Sequence, residues 1–88
     1  MHIAVVGAGY VGLTVAVALA DRGHKVTCVD KDAAKVRLLE AGKVPFYEEG
    51  LDDYLTRGLA AGTLRFTTSI TDVIDDAELI FIAAGPPS

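Results

Sequence analysis

The chain of 88 residues lacks most features of secreted, membrane-spanning and nucleic-acid-binding proteins. Its single cysteine, Cys28, can form no internal disulfide, so a reducing, cytoplasmic setting is expected. No apolar run approaches the roughly 18 residues of a membrane-spanning helix. The first apolar run begins at residue 2, so we expect no leader peptide and no membrane association. The formal net charge of −4, without a basic cluster, argues against a nucleic-acid partner.

What is present is a regular alternation of short apolar runs with longer helical patterns. The runs predicted to be strands cover residues 2–7, 25–30, 64–67 and 79–84. The predicted helices cover residues 11–22, 33–41 with Asp32 as N-cap, 51–61, and a short segment capped by Ser69 or Thr71 and ending near Ala77. This alternation, with 51% hydrophobic residues, predicts one small α/β domain. The expected fold is a Rossmann-type, doubly wound parallel sheet with strand order 3-2-1-4.

The most informative segment is Gly7-Ala8-Gly9-Tyr10-Val11-Gly12, which joins the first strand to the first helix. In a dinucleotide-binding turn Gly7 permits the tight turn, Gly9 lets the backbone approach a pyrophosphate, and Gly12 allows close packing of helix and sheet. Asp30, at the end of the second strand, is placed to accept hydrogen bonds from an adenosine ribose. A tight turn without a ligand is the alternative interpretation. The combination of strand, glycines, helix, strand and acid favours nucleotide binding.

The fourth predicted strand has a separate consequence for the sheet. In the order 3-2-1-4 it lies beside the first strand, so Ala84 and Gly85 are expected to flank the cofactor opposite Asp30. The run 79–84 would also form an uncovered apolar edge, which complete domains avoid. We therefore expect residues 1–88 to be the N-terminal part of a larger dinucleotide-binding domain, with no second domain in this chain.

Four motifs together resemble the UDP-glucose/GDP-mannose dehydrogenase family across the whole chain. They are Gly7-Ala8-Gly9-Tyr10-Val11-Gly12-Leu13, Val29-Asp30 with Lys35-Val36, Gly42-x-x-Pro45-Phe46-Tyr47-Glu48-x-Gly50-Leu51, and Phe81-Ile82-Ala83 before a Gly-x-Pro turn. The resemblance implies an oxidoreductase that uses NAD to oxidise the C6 alcohol of a nucleotide sugar, such as UDP-glucose, to a carboxylate. It implies two hydride transfers, a cysteine-bound thioester on a catalytic segment outside these residues, and a homo-oligomeric parent enzyme acting in polysaccharide biosynthesis.

By this resemblance Val11, Asp30 and Lys35 fall on cofactor-contacting positions. For Lys35 a solvated helix lysine is the alternative. The complete set of candidate cofactor-binding residues is Gly7, Gly9, Tyr10, Val11, Gly12, Asp30, Lys35, Ala84 and Gly85. No catalytic and no metal-ligating residue is predicted within the chain.

Two positions depart from the family pattern. Pro86 stands where the family has a threonine that helps hold the cofactor, and proline offers neither a hydroxyl nor an N–H. Glu49 stands where the family prefers proline. Among the remaining reactive side chains, we expect Cys28 to be a buried structural thiol and Glu48 to cap the helix at Leu51 rather than to line a nucleotide-sugar cleft.

Two other functions remain open from the sequence. One is a nucleotide-sensing module that shares the fold and performs no chemistry. The other is the N-terminal part of a different NAD-dependent dehydrogenase, acting on a hydroxyacyl or sugar-phosphate substrate. The segment from Pro45 to Leu51 argues against the latter.

Overall fold

The computed structural model describes residues 1–46 and 48–83, which form one parallel sheet with helices between its strands. The strands are β1 (His2–Val6), β2 (Lys25–Val29), β3 (Leu64–Thr67) and β4 (Leu79–Ile82). The helices are α1 (Tyr10–Asp21), α2 (Ala33–Glu40), α3 (Leu51–Ala61) and α4 (Thr71–Ile74). The strand order is β3-β2-β1-β4 and all three pairings are parallel, which confirms the predicted doubly wound topology.

One face of the sheet carries the main hydrophobic core. Ile3 of β1 pairs with Val26 of β2, which pairs with Leu64 of β3, and all three side chains are buried on the same face. The helices α1, α2 and α3 cover this face. They contribute Leu13, Ala16, Val17, Ala20, Val36, Leu39, Leu51 and Leu55 to the cluster. The apolar residues of α2 and α3 recur at three- and four-residue intervals, which places them on one side of each helix, against the sheet.

The opposite face carries only the short helix α4 among the described residues. The His2 side chain joins the segment after this helix to the sheet, since one ring nitrogen lies 3.1 Å from the backbone oxygen of Asp76 and the other 3.2 Å from the hydroxyl of Thr27. A polar cavity of about 570 Å³ lies on this face, lined by residues that include Arg65 and Val73. It contains none of the candidate cofactor-binding residues that the structure describes.

Local signals set most helix ends. Asp32 caps α2 as predicted, because its carboxylate accepts a hydrogen bond from the N–H of Lys35 at 3.1 Å. Gly62 ends α3, and its φ of 75° is a left-handed conformation that glycine adopts without steric cost. The predicted bounds of α3 and β3 match the observed ones.

The predicted cap and length of α4 are wrong. Its N-cap is Ile70, without a side-chain hydrogen bond, because the hydroxyls of Ser69 and Thr71 lie 3.1 Å from each other instead. The helix ends at Ile74 rather than near Ala77. The N–H of Glu78 donates to the carbonyl of His2 at 2.8 Å, so pairing with β1 straightens the chain before β4 begins.

The fourth strand forms an uncovered edge of the sheet in the part of the chain that the structure describes. It pairs with β1 on one side, and its four side chains are all exposed, from 38% for Phe81 to 73% for Ile82. The expectation of a bare apolar edge is confirmed for residues 79–82. Strand β4 itself ends at Ile82, and residue 84 lies outside the described residues.

Candidate cofactor-binding site

The carboxyl ends of β1 and β2 meet the N-terminus of α1 at a tightly packed turn. Gly7 has a φ of 103°, and its N–H donates to the carbonyl of Val29 at 2.7 Å. A Cβ on Gly12 would lie 1.8 Å from the carbonyl oxygen of Gly7, a distance that no packing adjustment accommodates. The roles predicted for Gly7 and Gly12 therefore match the geometry: one permits the turn and the other lets the helix pack directly on it.

The space above the turn is open. Gly9 is the N-cap of α1 and has an ordinary extended conformation, yet a Cβ built on it would find no atom within 4 Å. Tyr10 and Val11, the first two residues of the helix, are 53% and 56% exposed. The N–H groups at the start of a helix have no partner within the helix and carry the positive end of its dipole. This combination of unobstructed backbone and free donors suits a pyrophosphate.

Asp30 lies directly beside this turn. One carboxylate oxygen accepts a hydrogen bond from the N–H of Ala8 at 2.9 Å, and the other accepts one from the N–H of Asp32, also at 2.9 Å. Burial by itself would raise the pKa of Asp30, but these two hydrogen bonds and the ammonium group of Lys35 outweigh it and hold the pKa below its ordinary value. Asp30 is therefore an ionised acceptor fixed at the end of β2.

Lys35 forms an ion pair with Asp30. Its Nζ lies 3.2 Å from the Asp30 oxygen that also binds Ala8, and the side chains of the lysine and the aspartate are 30% and 12% exposed. The alternative of a fully solvated lysine on α2 is wrong, because one turn of the helix brings the ammonium group back over the end of β2. The structure thus brings Asp30 and Lys35 together at the position where the ribose is expected.

The end of β4 approaches the same turn from the other side. The N–H of Ala83 donates to the carbonyl of Val6 at 2.8 Å, and its Cβ lies 3.1 Å from where a Cβ of Gly12 would be. The candidate residues Ala84 and Gly85, and the family departure at Pro86, lie outside the described residues.

Sequence reasoning missed one neighbour of this site. The ring of Phe46 packs against the ring of Tyr10 edge to face, with centroids 5.6 Å apart and planes at 63°. Phe46 belongs to the irregular connection between α2 and α3 and packs against the core. An aromatic ring within an irregular connection was the available signal, but nothing local to it indicates Tyr10 as the partner.

Two other reactive side chains take structural positions. Cys28 is fully buried, and burial, with the nearby Asp30 charge, raises the pKa of its thiol to about 12, so the thiolate needed of a nucleophile is disfavoured. The capping role predicted for the Glu48 side chain is wrong. Gly50 is the N-cap of α3 without a side-chain bond, and Glu48 contributes only its backbone carbonyl, which accepts from the N–H of Leu51 at 3.2 Å.

Within residues 1–46 and 48–83, no group of three or more His, Cys, Asp or Glu side chains is arranged to hold a metal ion. The helices in this part of the chain are also too short or too polar to cross a membrane.

Comparison with known proteins gives the same family as the motifs. Residues 1–88 match the model of the UDP-glucose/GDP-mannose dehydrogenase family, NAD binding domain. The chain is 44% identical over 88 residues to the UDP-glucose 6-dehydrogenase of Rhizobium meliloti, covering 100% of this chain and 20% of that protein. A crystal structure of a ternary complex of GDP-mannose dehydrogenase from Pseudomonas aeruginosa superposes with a TM-score of 0.95 at 40% identity, covering 100% of this chain and 20% of that one.

A UDP-glucose dehydrogenase from Pyrobaculum islandicum superposes with a TM-score of 0.92 at 39% identity, covering 99% of this chain and 20% of that one. The chain therefore spans about a fifth of the length of the relatives it matches.

Proposed function

Since this chain belongs to the UDP-glucose/GDP-mannose dehydrogenase family and matches its NAD binding domain, we propose that it forms the cofactor-binding portion of a nucleotide-sugar 6-dehydrogenase. The proposed substrate is UDP-glucose, oxidised at C6 to UDP-glucuronate. The proposed enzymatic activity is that of the whole protein, since this chain spans about a fifth of the length of the relatives it matches. The proposed location is the cytoplasm, which the lone thiol of Cys28 supports.

The observation that carries the proposal is the arrangement around Asp30. A carboxylate fixed by the N–H groups of Ala8 and Asp32 stands at the end of β2, beside an open turn and a helix N-terminus. A carboxylate has about four lone-pair sites, and three are occupied here, so an acceptor position remains for a ribose hydroxyl. The ammonium group of Lys35, which lies 3.2 Å from Asp30 Oδ2, can donate a hydrogen bond to the same ribose.

The remaining cofactor contacts are assigned to backbone groups. We assign the pyrophosphate to the N–H groups of Tyr10 and Val11, over the space left by Gly9. We assign Ala84 and Gly85 to the opposite wall. NAD supplies the hydride acceptor when bound, whereas these residues only bind and orient it.

Two substitutions at Asp30 test the proposal. The charge of Asp30 opposes the 2′-phosphate of NADP, so the chain should prefer NAD over NADP. Asp30→Ala should weaken NAD binding by about 1–3 kcal/mol, because the bonds to the ribose are charge-assisted. Asp30→Asn, which removes only the charge, should bring the dissociation constants for NAD and NADP closer together.

The measurement is calorimetric titration with NAD and with NADP, with Asp53→Ala on the exposed side of α3 as the matched control. Tighter or equal binding of NADP by the unmodified chain contradicts the proposal.

A chimera tests the enzymatic part of the proposal. This chain would replace the matching residues of the Rhizobium meliloti enzyme, and NADH formation from UDP-glucose would be followed by absorbance. We expect the chimera to form NADH. The 88-residue chain should form none, because that chain lacks the groups that position the sugar and attack its carbon. A folded chimera that binds UDP-glucose but not NAD contradicts the proposal. A chimera without Asp30 is the internal negative control.

A further inference from the structure

The first turn of α1 has few of the interactions that normally hold a helix end in place. Its N-cap, Gly9, has no side chain, so no side-chain cap hydrogen bond forms, and the first turn contains no acidic residue to complement the dipole. Uncapped helix ends fray. The turn nevertheless carries the N–H groups of Tyr10 and Val11, which are assigned above to the pyrophosphate. The turn is held by the bond from the N–H of Leu13 to the carbonyl of Gly9 at 2.9 Å and by the packing of Gly12 on Gly7, and a side-chain contact at its first residue would add to these.

The contact available is the aromatic pair of Tyr10 and Phe46. Tyr10 is the first residue of α1, half exposed, and packs on the Phe46 ring in a T-shaped arrangement at a centroid distance of 5.6 Å. Phe46 is itself partly buried against the main core. It therefore connects the core to the first residue of the helix, across 36 positions of sequence, where no capping bond does so.

We propose that Phe46 is a positioning residue for the cofactor. By packing on Tyr10 it holds the first turn of α1 in the conformation that presents its N–H groups to the pyrophosphate. This inference rests on the proposed function. It adds that Phe46, in the connection between α2 and α3, affects the affinity for the cofactor without contacting it. Phe46 thus stabilises the helix end at which Gly9 can form no side-chain cap.

The test combines two readouts on the 88-residue chain. NMR titration with NAD measures the dissociation constant, and the Cα chemical shifts of residues 10–12 without ligand measure how helical the first turn is. Phe46→Ala should raise the dissociation constant about 3- to 10-fold, the range expected for loss of one aromatic pair, and should move these shifts toward random coil. Phe46→Tyr, which keeps the ring, should restore both.

A double-mutant cycle separates positioning from general stability. In a Tyr10→Ala background, Phe46→Ala should change the dissociation constant by less than about twofold, because the coupling has already been removed. Leu59→Ala is the matched control, since Leu59 is also partly buried against the core but lies at the far end of α3. It should change neither the dissociation constant nor the shifts of residues 10–12.

An equal effect of Phe46→Ala in both backgrounds, or no effect in the native background, overturns the inference while leaving the proposed function intact. Failure of the unmodified chain to bind NAD at all overturns the proposed function and this inference together.

Discussion

Strands β1 and β4 lie side by side in one sheet and consist of the same kind of residue, yet their surroundings are opposite. The side chains of Ile3, Ala4 and Val5 in β1 are 2% exposed or less, whereas those of β4 are 38% to 73% exposed. Strand β1 has a neighbouring strand on each side and α1 packed over it, whereas β4 pairs with β1 alone among residues 1–46 and 48–83. An apolar run therefore predicts a strand, but only the neighbours determine whether it is buried.

The two regions also differ in what they can do. The closed region, at the end of β1, holds polar groups at fixed distances, since Asp30 is fixed by backbone donors above a packed core. The open region presents apolar side chains and an unpaired row of backbone groups, which favours association with another strand. Tight packing suits a binding site for a charged cofactor, and an open edge suits assembly.

The largest effect is expected from breaking the closed region at Gly12. Gly12→Ala should destabilise the fold by about 3 kcal/mol or more, because the new Cβ would overlap the carbonyl of Gly7 and no flexible side chain is there to move away. The free energy of unfolding from urea denaturation, followed by circular dichroism, measures the effect.

Gly9→Ala is the matched control for this substitution. Its Cβ would enter open space, so the free energy of unfolding should change by less than about 1 kcal/mol. NAD binding should nevertheless fall, because that open space is assigned to the pyrophosphate. Equal destabilisation by both substitutions would contradict the distinct roles given to the two glycines.

Asp30 is expected to make the stability of the closed region depend on pH. Its pKa in the folded chain lies below the ordinary value of 3.8, so its contribution to stability is fully present above that value and is lost as the pH falls through the folded pKa. The native chain should lose more stability than Asp30→Asn between about pH 5 and about pH 2. Parallel slopes for the two proteins in urea denaturation at each pH would show that Asp30 is not responsible.

The open region is expected to cause self-association of the 88-residue chain. Ile82 is the most exposed side chain of β4, so Ile82→Lys should place a charge on the edge and shift the chain toward monomer. Sedimentation velocity over a range of concentrations measures the change. Ile74→Lys, at an exposed isoleucine of α4, is the control and should leave association unchanged. A native chain that stays monomeric at high concentration contradicts the prediction.

The smallest effect concerns Cys28 inside the closed region. Because burial raises the pKa of its thiol to about 12, alkylation by iodoacetamide at about pH 8 should be negligible in the folded chain and rapid in urea. Mass spectrometry after timed quenching gives the rates. Rapid labelling without urea would show that local unfolding exposes Cys28 more often than its burial implies.

Much of this molecule follows from local sequence. The apolar period of α3, the β-branched runs and the glycines at 7, 12 and 62 act through their own backbone or their nearest turn. The strand order follows from the dinucleotide-binding pattern of the first three elements. Asp30 could be assigned because the acid stands at a fixed place in the strand–turn–helix–strand pattern. Because these features depend on residues close by in the chain, they can be predicted from the sequence.

The tertiary structure alone decided the rest. The packing of Phe46 on Tyr10 and the early end of α4 at Ile74 each depend on where distant segments meet in space. Hydrophobic period and capping preference describe a residue's relation to its own element, and they contain no information about which ring an irregular connection will reach. Sequence therefore determined which residues form the glycine turn between β1 and α1, and packing determined which ring lies against it.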